Sequence, residues 1–195
     1  MRTRRLARCP GCGLAHALCI CRELPKLAVR TRLAVVMHTN EVPKSSNTGR
    51  LAVAMLSGAT LRVRGRLDDS IPEPPPGRKL ALFPMPDARL LTEADARGEA
   101  PLLLVPDGNW TQARRMLIRD PWLKDAEIVR LAELPPSRYP LRRNSRPGTA
   151  CTLEAVARAL GILEGEEVER ALLSALDLFV ERSIRMRTEG TDLRD

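Results

Sequence analysis

Short apolar runs that stop abruptly at turn residues recur along this chain, and they constrain its fold more than any other feature. Residues 32–38 (RLAVVMH), 79–85 (KLALFPM) and 101–108 (PLLLVPDG) suit buried strands, the latter two stopped by proline. Residues 60–66 (TLRVRGR) alternate as a strand with one basic face, and 127–132 (EIVRLA) is strand-like. Between and after them lie helical patterns. TGRLAVAMLSGA places Leu51, Ala54 and Met55 on one face, with Asn47 as its candidate cap, and NWTQARRMLIRD, TLEAVARALGIL and EEVERALLSALDLFVERSIRMR follow. Five strand candidates alternating with helices predict an α/β domain with a largely parallel sheet flanked by helices. DDSIPEPPPGR, at 68–78, is an exposed proline-rich connector in this reading.

Composition narrows the class. With 195 residues, 44% hydrophobic and 29% charged, the chain can bury a real core and is not broadly disordered. Aromatics are 3%, so Leu, Ala and Val must fill that core. No apolar run approaches the roughly 20 residues of a spanning helix, and MRTRRLARCPGCG lacks the apolar stretch of a secretory signal. The expectation is a soluble cytoplasmic protein that uses neither membrane nor DNA. Lys plus Arg is 32 against 24 acids, a formal charge of +8, which calls for an anionic partner.

Four of the five cysteines, Cys9, Cys12, Cys19 and Cys21, fall in CPGCGLAHALCIC. A C-x2-C pair on a Pro10-Gly11 turn can aim both sulfurs at one tetrahedral ion, and the C-x-C pair can complete a four-thiolate site. The spacing fits structural zinc better than the usual iron–sulfur runs. Two disulfides are the alternative, and His16 could replace one ligand, but a reducing compartment and a loop position favour the four-cysteine knuckle. Such a closed site does folding work and no chemistry. Cys151, far away, is a small buried residue in this reading. The chain is expected to divide into a basic arm and knuckle at 1–28 and an α/β domain at 29–195.

No dinucleotide glycine motif, P-loop or nucleophile elbow is present, and two histidines, His16 and His38, do not make a two-histidine catalytic metal site. Polar residues instead gather past strand ends, where ligands bind in open α/β sheets. The first group is His38-Thr39-Asn40-Glu41 with Asn47-Thr48-Gly49-Arg50. The second is Asp107-Gly108-Asn109-Trp110. The third is Tyr139-Pro140-Leu141-Arg142 with Gly148 through Glu154. Each also has a structural explanation: Asp107 or Asn109 as a helix cap, Thr152 as another, Trp110 as packing.

In order along the chain, CPxC…CxC, HxxE, NTGRL, DGNWTQAR, YxLR and TLEA resemble the DTW-domain family over roughly residues 9–160. Asn109 stands where the family's signature has Thr, keeping a short capping side chain. The resemblance implies a SPOUT-like fold with a C-terminal trefoil knot. It also implies a tRNA-uridine aminocarboxypropyltransferase. Such an enzyme moves the 3-amino-3-carboxypropyl group of S-adenosylmethionine to N3 of a uridine and releases methylthioadenosine. By the same matching, the cofactor is cradled by Phe83-Pro84, Val105-Pro106-Asp107-Gly108 and Thr149-Ala150-Cys151-Thr152, with Arg142 or Arg50 on its carboxylate.

A base must remove the N3 proton; Asp107 is the first choice and Glu41 its competitor, with Trp110 sheltering adenine or stacking on the uridine. Substrate contacts are expected from His38, Asn47 and Arg50. RNA phosphates are expected on Arg62, Arg64 and Arg66, on Arg138, Arg142, Arg143 and Arg146, and on the N-terminal Arg2, Arg4, Arg5 and Arg8. Two rivals remain: a methyltransferase using the same donor, and a non-catalytic zinc-containing RNA-binding module. Monomer and homodimer stay equally open.

Overall fold

The computed structural model describes residues 7–65, 71–132, 134–141 and 149–188. Strands β1 (Arg32–His38), β2 (Thr60–Arg64), β3 (Lys79–Leu82), β4 (Arg89–Leu90), β5 (Leu102–Asp107) and β6 (Glu127–Arg130) form one sheet in the order β2-β1-β5-β3-β6-β4. All its pairings are parallel. Helices α1 (Gly49–Met55), α2 (Trp110–Arg119), α3 (Thr152–Glu164) and α4 (Glu166–Thr188) cover its two faces.

Strand alternation sorts the core. Leu33 and Val35 of β1, with Leu103 and Val105 of β5, point toward α1, α3 and α4. Ala34 and Val36, with Leu102 and Leu104, point toward Ala113, Met116 and Leu117 of α2. Both faces are covered, which is why β1 and β5 read as continuous apolar runs rather than alternating ones.

The structure adds β4, two residues that no apolar run announces. Charge holds it in place: Arg89 bonds both oxygens of Asp95 at 2.8 Å and Glu127 of β6 at 2.5 Å. The Arg89 guanidinium keeps the buried Asp95 carboxyl well below the usual carboxylate range. Strand β2 departs from expectation more sharply. It is a half-buried edge strand, and its basic face turns inward. Arg62 and Arg64 both pair with Asp120, which is fully buried just past α2, and the Arg62 guanidinium lies 4.8 Å from the Trp122 ring. One of their two charges is therefore balanced within the fold, because a buried carboxylate needs a cation. Arg66 lies outside the described residues, as do Arg2, Arg4, Arg5, Arg142, Arg143 and Arg146.

The knuckle shares the main core. Leu14, Leu18, Ile20 and Leu24 belong to the same hydrophobic cluster as α3 and α4, and the Ala15 N–H reaches the Met186 sulfur at 3.3 Å. Apolar packing is thus continuous across residue 28. Of the proline-rich connector, the described part from Ile71 onward is largely exposed and is anchored where Trp122 Nε1 donates to the Pro72 carbonyl at 2.7 Å. A knot is a property of the continuous chain path, which includes 142–148 outside the described residues. No described helix is long and apolar enough to cross a membrane.

Candidate active site at the carboxyl edge of the sheet

Strand order places the site. β1 is followed by β2 on one side, while β5 and β3 lie on the other, so the connections diverge beside β1. Ligands of open α/β sheets bind at such a point, beyond the strands' carboxyl ends. There, in register with Met37 of β1, β5 ends at Asp107.

Asp107 is buried, and two donors from distant segments fix it. Asn47 Nδ2 donates to Oδ2 at 2.6 Å, and the Thr152 hydroxyl donates to Oδ1 at 2.6 Å. Burial pushes this carboxyl above its ordinary range, against the pull of those hydrogen bonds; Glu41 pushes further the same way and Arg50 opposes it. Gly49 starts α1 directly against it: a Cβ there would stand 2.6 Å from Asp107 Oδ2. Asn47 also accepts the Arg50 N–H at 3.3 Å. The N-cap position itself is Thr48, one residue beyond the expected cap. The Thr48 hydroxyl instead accepts the Leu153 N–H at 3.2 Å, tying α1 to α3.

Glu41, also buried, pairs with Lys44 at 2.6 Å. Arg50 is half-buried, donates to the Val42 carbonyl at 2.7 Å, and keeps a buried Nε that makes no hydrogen bond among the described residues. His38 closes the loop's first turn, its Nδ1 accepting the Asn40 N–H at 3.1 Å.

Past Asp107 and Gly108, Asn109 caps α2: its Oδ1 accepts the Gln112 N–H, and Gln112 Oε1 accepts the Asn109 N–H, both at 2.9 Å. The residue that replaces the signature threonine therefore performs a cap's task. Trp110 follows, 42% exposed, edge-on to Phe83 at 5.5 Å between centroids. Phe83 itself is buried at the end of β3, next to Pro84. Val105 and Pro106 are buried within β5.

Cys151 is the N-cap of α3, a buried thiol that burial pushes up to about 12, so Thr152 is the first helical residue rather than the cap. Thr149 and Ala150 are half-buried just before it. Glu154 was legible in sequence only as a continuation of the helix. The structure makes it an organiser: its carboxylate accepts the Cys151 N–H at 2.7 Å, the Arg138 N–H at 2.6 Å and the Ser137 hydroxyl at 2.8 Å. Its place three residues after the cap is the spacing that could have revealed this. Tyr139 in turn donates to the Ser46 carbonyl at 2.7 Å, joining the third loop to the first. Glu154→Gln, which leaves one acceptor oxygen for this set, should lower unfolding stability by about 1.5–3 kcal/mol in urea titrations. Arg138 is exposed and pairs with Asp177 at 3.0 Å.

The four cysteine sulfurs lie within 4.8 Å of one another, with Cys9–Cys21 at 3.6 Å and Cys12–Cys19 at 3.8 Å. A tetrahedron with metal–sulfur bonds of about 2.3 Å has edges of about 3.8 Å, so the donor set fits a metal ion. The Cys12 backbone amide draws the Cys9 thiol down to about 6, whereas burial pushes Cys21 up. A Cβ at Gly11 would come within 2.8 Å of the Cys21 sulfur, so glycine is required in the turn.

A profile of the DTW domain matches residues 6–184. The chain belongs to the DTW-domain family. Relatives of this DTW domain include tRNA-uridine aminocarboxypropyltransferase A of Arabidopsis thaliana, 28% identical over 86% of this chain and 77% of the relative. Another is tRNA-uridine aminocarboxypropyltransferase 2 of Drosophila melanogaster, 26% identical over 88% and 73%. The SAM-dependent rRNA:acp-transferase Tsr3 of Vulcanisaeta distributa shares the fold, with a TM-score of 0.53 and 17% identity over 85% of this chain and 82% of that one. Thus the family and the parallel sheet expected from the sequence both hold.

Proposed function

We propose that the chain is an S-adenosylmethionine-dependent tRNA-uridine aminocarboxypropyltransferase acting at uridine N3. One observation carries this reading. A buried carboxylate, Asp107, is held at the ligand-binding edge of the sheet by donors from two other segments, in a family whose relatives bear that name.

Uridine N3 is a weak nucleophile until its proton leaves. Asp107 is the better base than Glu41, because Lys44 already neutralises Glu41 while no cation touches Asp107 among the described residues. A carboxylate with a raised pKa also takes a proton more readily than an ordinary one. When bound, S-adenosylmethionine supplies an activated carbon: N3 bonds to it as its C–S bond breaks, and those electrons neutralise the departing sulfur of methylthioadenosine. The chain's work is then positioning. Backbone at 83–84, 105–108 and 149–152 would cradle the adenosine. The unengaged Arg50 Nε would meet the donor's carboxylate, as would Arg142 outside the described residues. Trp110, exposed and braced by Phe83, would stack on the target base or on adenine. His38 and Asn47 frame the acceptor's side.

The test is to incubate the protein with unmodified tRNA and S-adenosylmethionine and analyse nucleosides by mass spectrometry. A uridine heavier by one aminocarboxypropyl group, with methylthioadenosine released, is expected. A methylated nucleoside, or no modified nucleoside at all, overturns the reading.

Zinc is the metal we assign to the cysteine cluster. Elemental analysis should find one zinc per chain. Cys12→Ser, which removes a buried ligand, should lose that zinc and lower Tm by about 5–10 °C, since ~1 kcal/mol moves Tm by ~2–4 °C at this size.

A further inference from the structure

Arg62 and Arg64 of β2 are ion-paired with the buried Asp120, and Arg78, Arg89 and Arg138 are likewise ion-paired. Helix α2 is different. Its ten residues, WTQARRMLIR, contain no acid, and Arg114, Arg115 and Arg119 are exposed and engage no partner among the described residues. On a helix of 3.6 residues per turn, Trp110, Arg114, Ile118, Arg115 and Arg119 follow one another around about half the circumference. The opposite half, Ala113, Met116 and Leu117, is buried against the sheet. Ile118 is 74% exposed and Trp110 42%, both unusual for large apolar side chains beside a functional edge.

We propose that this face of α2 is the docking surface for the RNA substrate, an inference that rests on the transferase reading above. α2 begins at the site, one residue after its Asn109 cap, and leads away from it, so Arg119 lies about 13 Å beyond Trp110 along the axis. Trp110 meets the nucleotide at the mouth, and the three arginines receive phosphates of the strand that continues from it. Ile118, set between them, packs on sugar or base surface. Charge complementarity selects RNA as the occupant: three unneutralised guanidiniums without a neighbouring carboxylate on the helix repel a basic surface and match a polyanion.

The experiment measures binding of unmodified tRNA to the full chain by fluorescence anisotropy between about 50 and 200 mM salt. It compares the wild type, Arg114→Gln/Arg115→Gln/Arg119→Gln, Ile118→Ser, and a control pair on α4, Arg170→Gln/Arg187→Gln. Each lost phosphate contact reduces the slope of log affinity against log salt by about 0.7–0.9, so the triple variant should lose about 2–3 units of slope and at least about tenfold in affinity. Ile118→Ser should weaken binding without changing the slope, and the control pair should match the wild type. Binding of S-adenosylmethionine, followed separately by calorimetry, should be unchanged in all four proteins.

An unaltered slope in the triple variant overturns the proposal. So does a loss no greater than the control's, or a change of oligomeric state in its place, which would make the face a contact between copies. The two readings fail separately. Wild-type protein that binds tRNA through α2 but forms no aminocarboxypropyl-uridine defeats the transferase. Normal product from a triple variant with normal binding defeats the surface alone.

Discussion

Asp107→Asn should lower aminocarboxypropyl transfer by about 10²–10⁴-fold, the usual contribution of a general base, while leaving the melting temperature unchanged or raised. The structure accommodates the amide. An oxygen toward Asn47 Nδ2 keeps that hydrogen bond, and the Thr152 hydroxyl can turn from donor to acceptor for the new NH₂. What disappears is a buried negative charge. Because burial raises the Asp107 pKa in the folded protein, folding favours the protonated acid. The associated stability is fully present below the unfolded pKa and is lost as pH rises through the folded one. At neutral pH the wild type therefore carries a destabilisation that the amide lacks. The same sign governs rate: kcat/KM should fall as pH drops through the raised Asp107 pKa, above the range of an ordinary aspartate. A pH–rate profile that keeps this limb in Asp107→Asn, or a variant with wild-type turnover, would remove Asp107 as the base.

Gly49→Ala should combine a comparable loss of activity with a loss of stability of about 1–3 kcal/mol, the ordinary cost of forcing extra volume into packed surroundings. The added methyl would stand 2.6 Å from Asp107 Oδ2, 3.1 Å from its Cγ and 3.4 Å from the Thr152 methyl. None of these atoms is the free end of a long side chain: Asp107 is pinned by two hydrogen bonds and Thr152 opens α3. Either the carboxylate moves, breaking its bonds, or α1 backs away from the sheet. Urea denaturation and calorimetric titration with S-adenosylmethionine would report both effects, and a variant that binds and melts like the wild type would show that the contact yields easily. Gly98 supplies the comparison, since an added Cβ there meets nothing within 4 Å, although its positive φ makes its own substitution costly for a different reason.

Much of this architecture was visible in the sequence because burial on both faces writes itself as uninterrupted apolar residues. β1 and β5 are such strands, and both appear where their runs predict. β4 was invisible because ion pairs hold its two residues, and ion pairing over 38 residues of chain leaves no periodic trace. The basic stripe of β2 was read correctly as alternation, but nothing in the stripe showed that Arg62 and Arg64 would pair with Asp120. Alternation fixes which residues share a side; Asp120 and Trp122, more than fifty residues away, decide what that side meets. Asp107, Asn47 and Thr152 were each picked out as polar residues near strand or helix ends. That they converge on one carboxylate is a tertiary fact. Glu154 was underestimated for the converse reason: a glutamate in the first turn of a good helix is ordinary in composition, and only its partners at 137, 138 and 151 give it a role.

The hydrogen bonds on Asp107 also bear on how the chain acquires function during its synthesis. Its partners lie 60 residues earlier and 45 residues later, and the neighbouring Thr48–Leu153 bond spans 105. Contacts of such separation form only after large loops have closed. A nascent chain that has produced all six strands but not α3 holds Asp107 with only the Asn47 half of its donors. Competence to modify RNA is therefore withheld until the last third of the polypeptide has folded back onto the first.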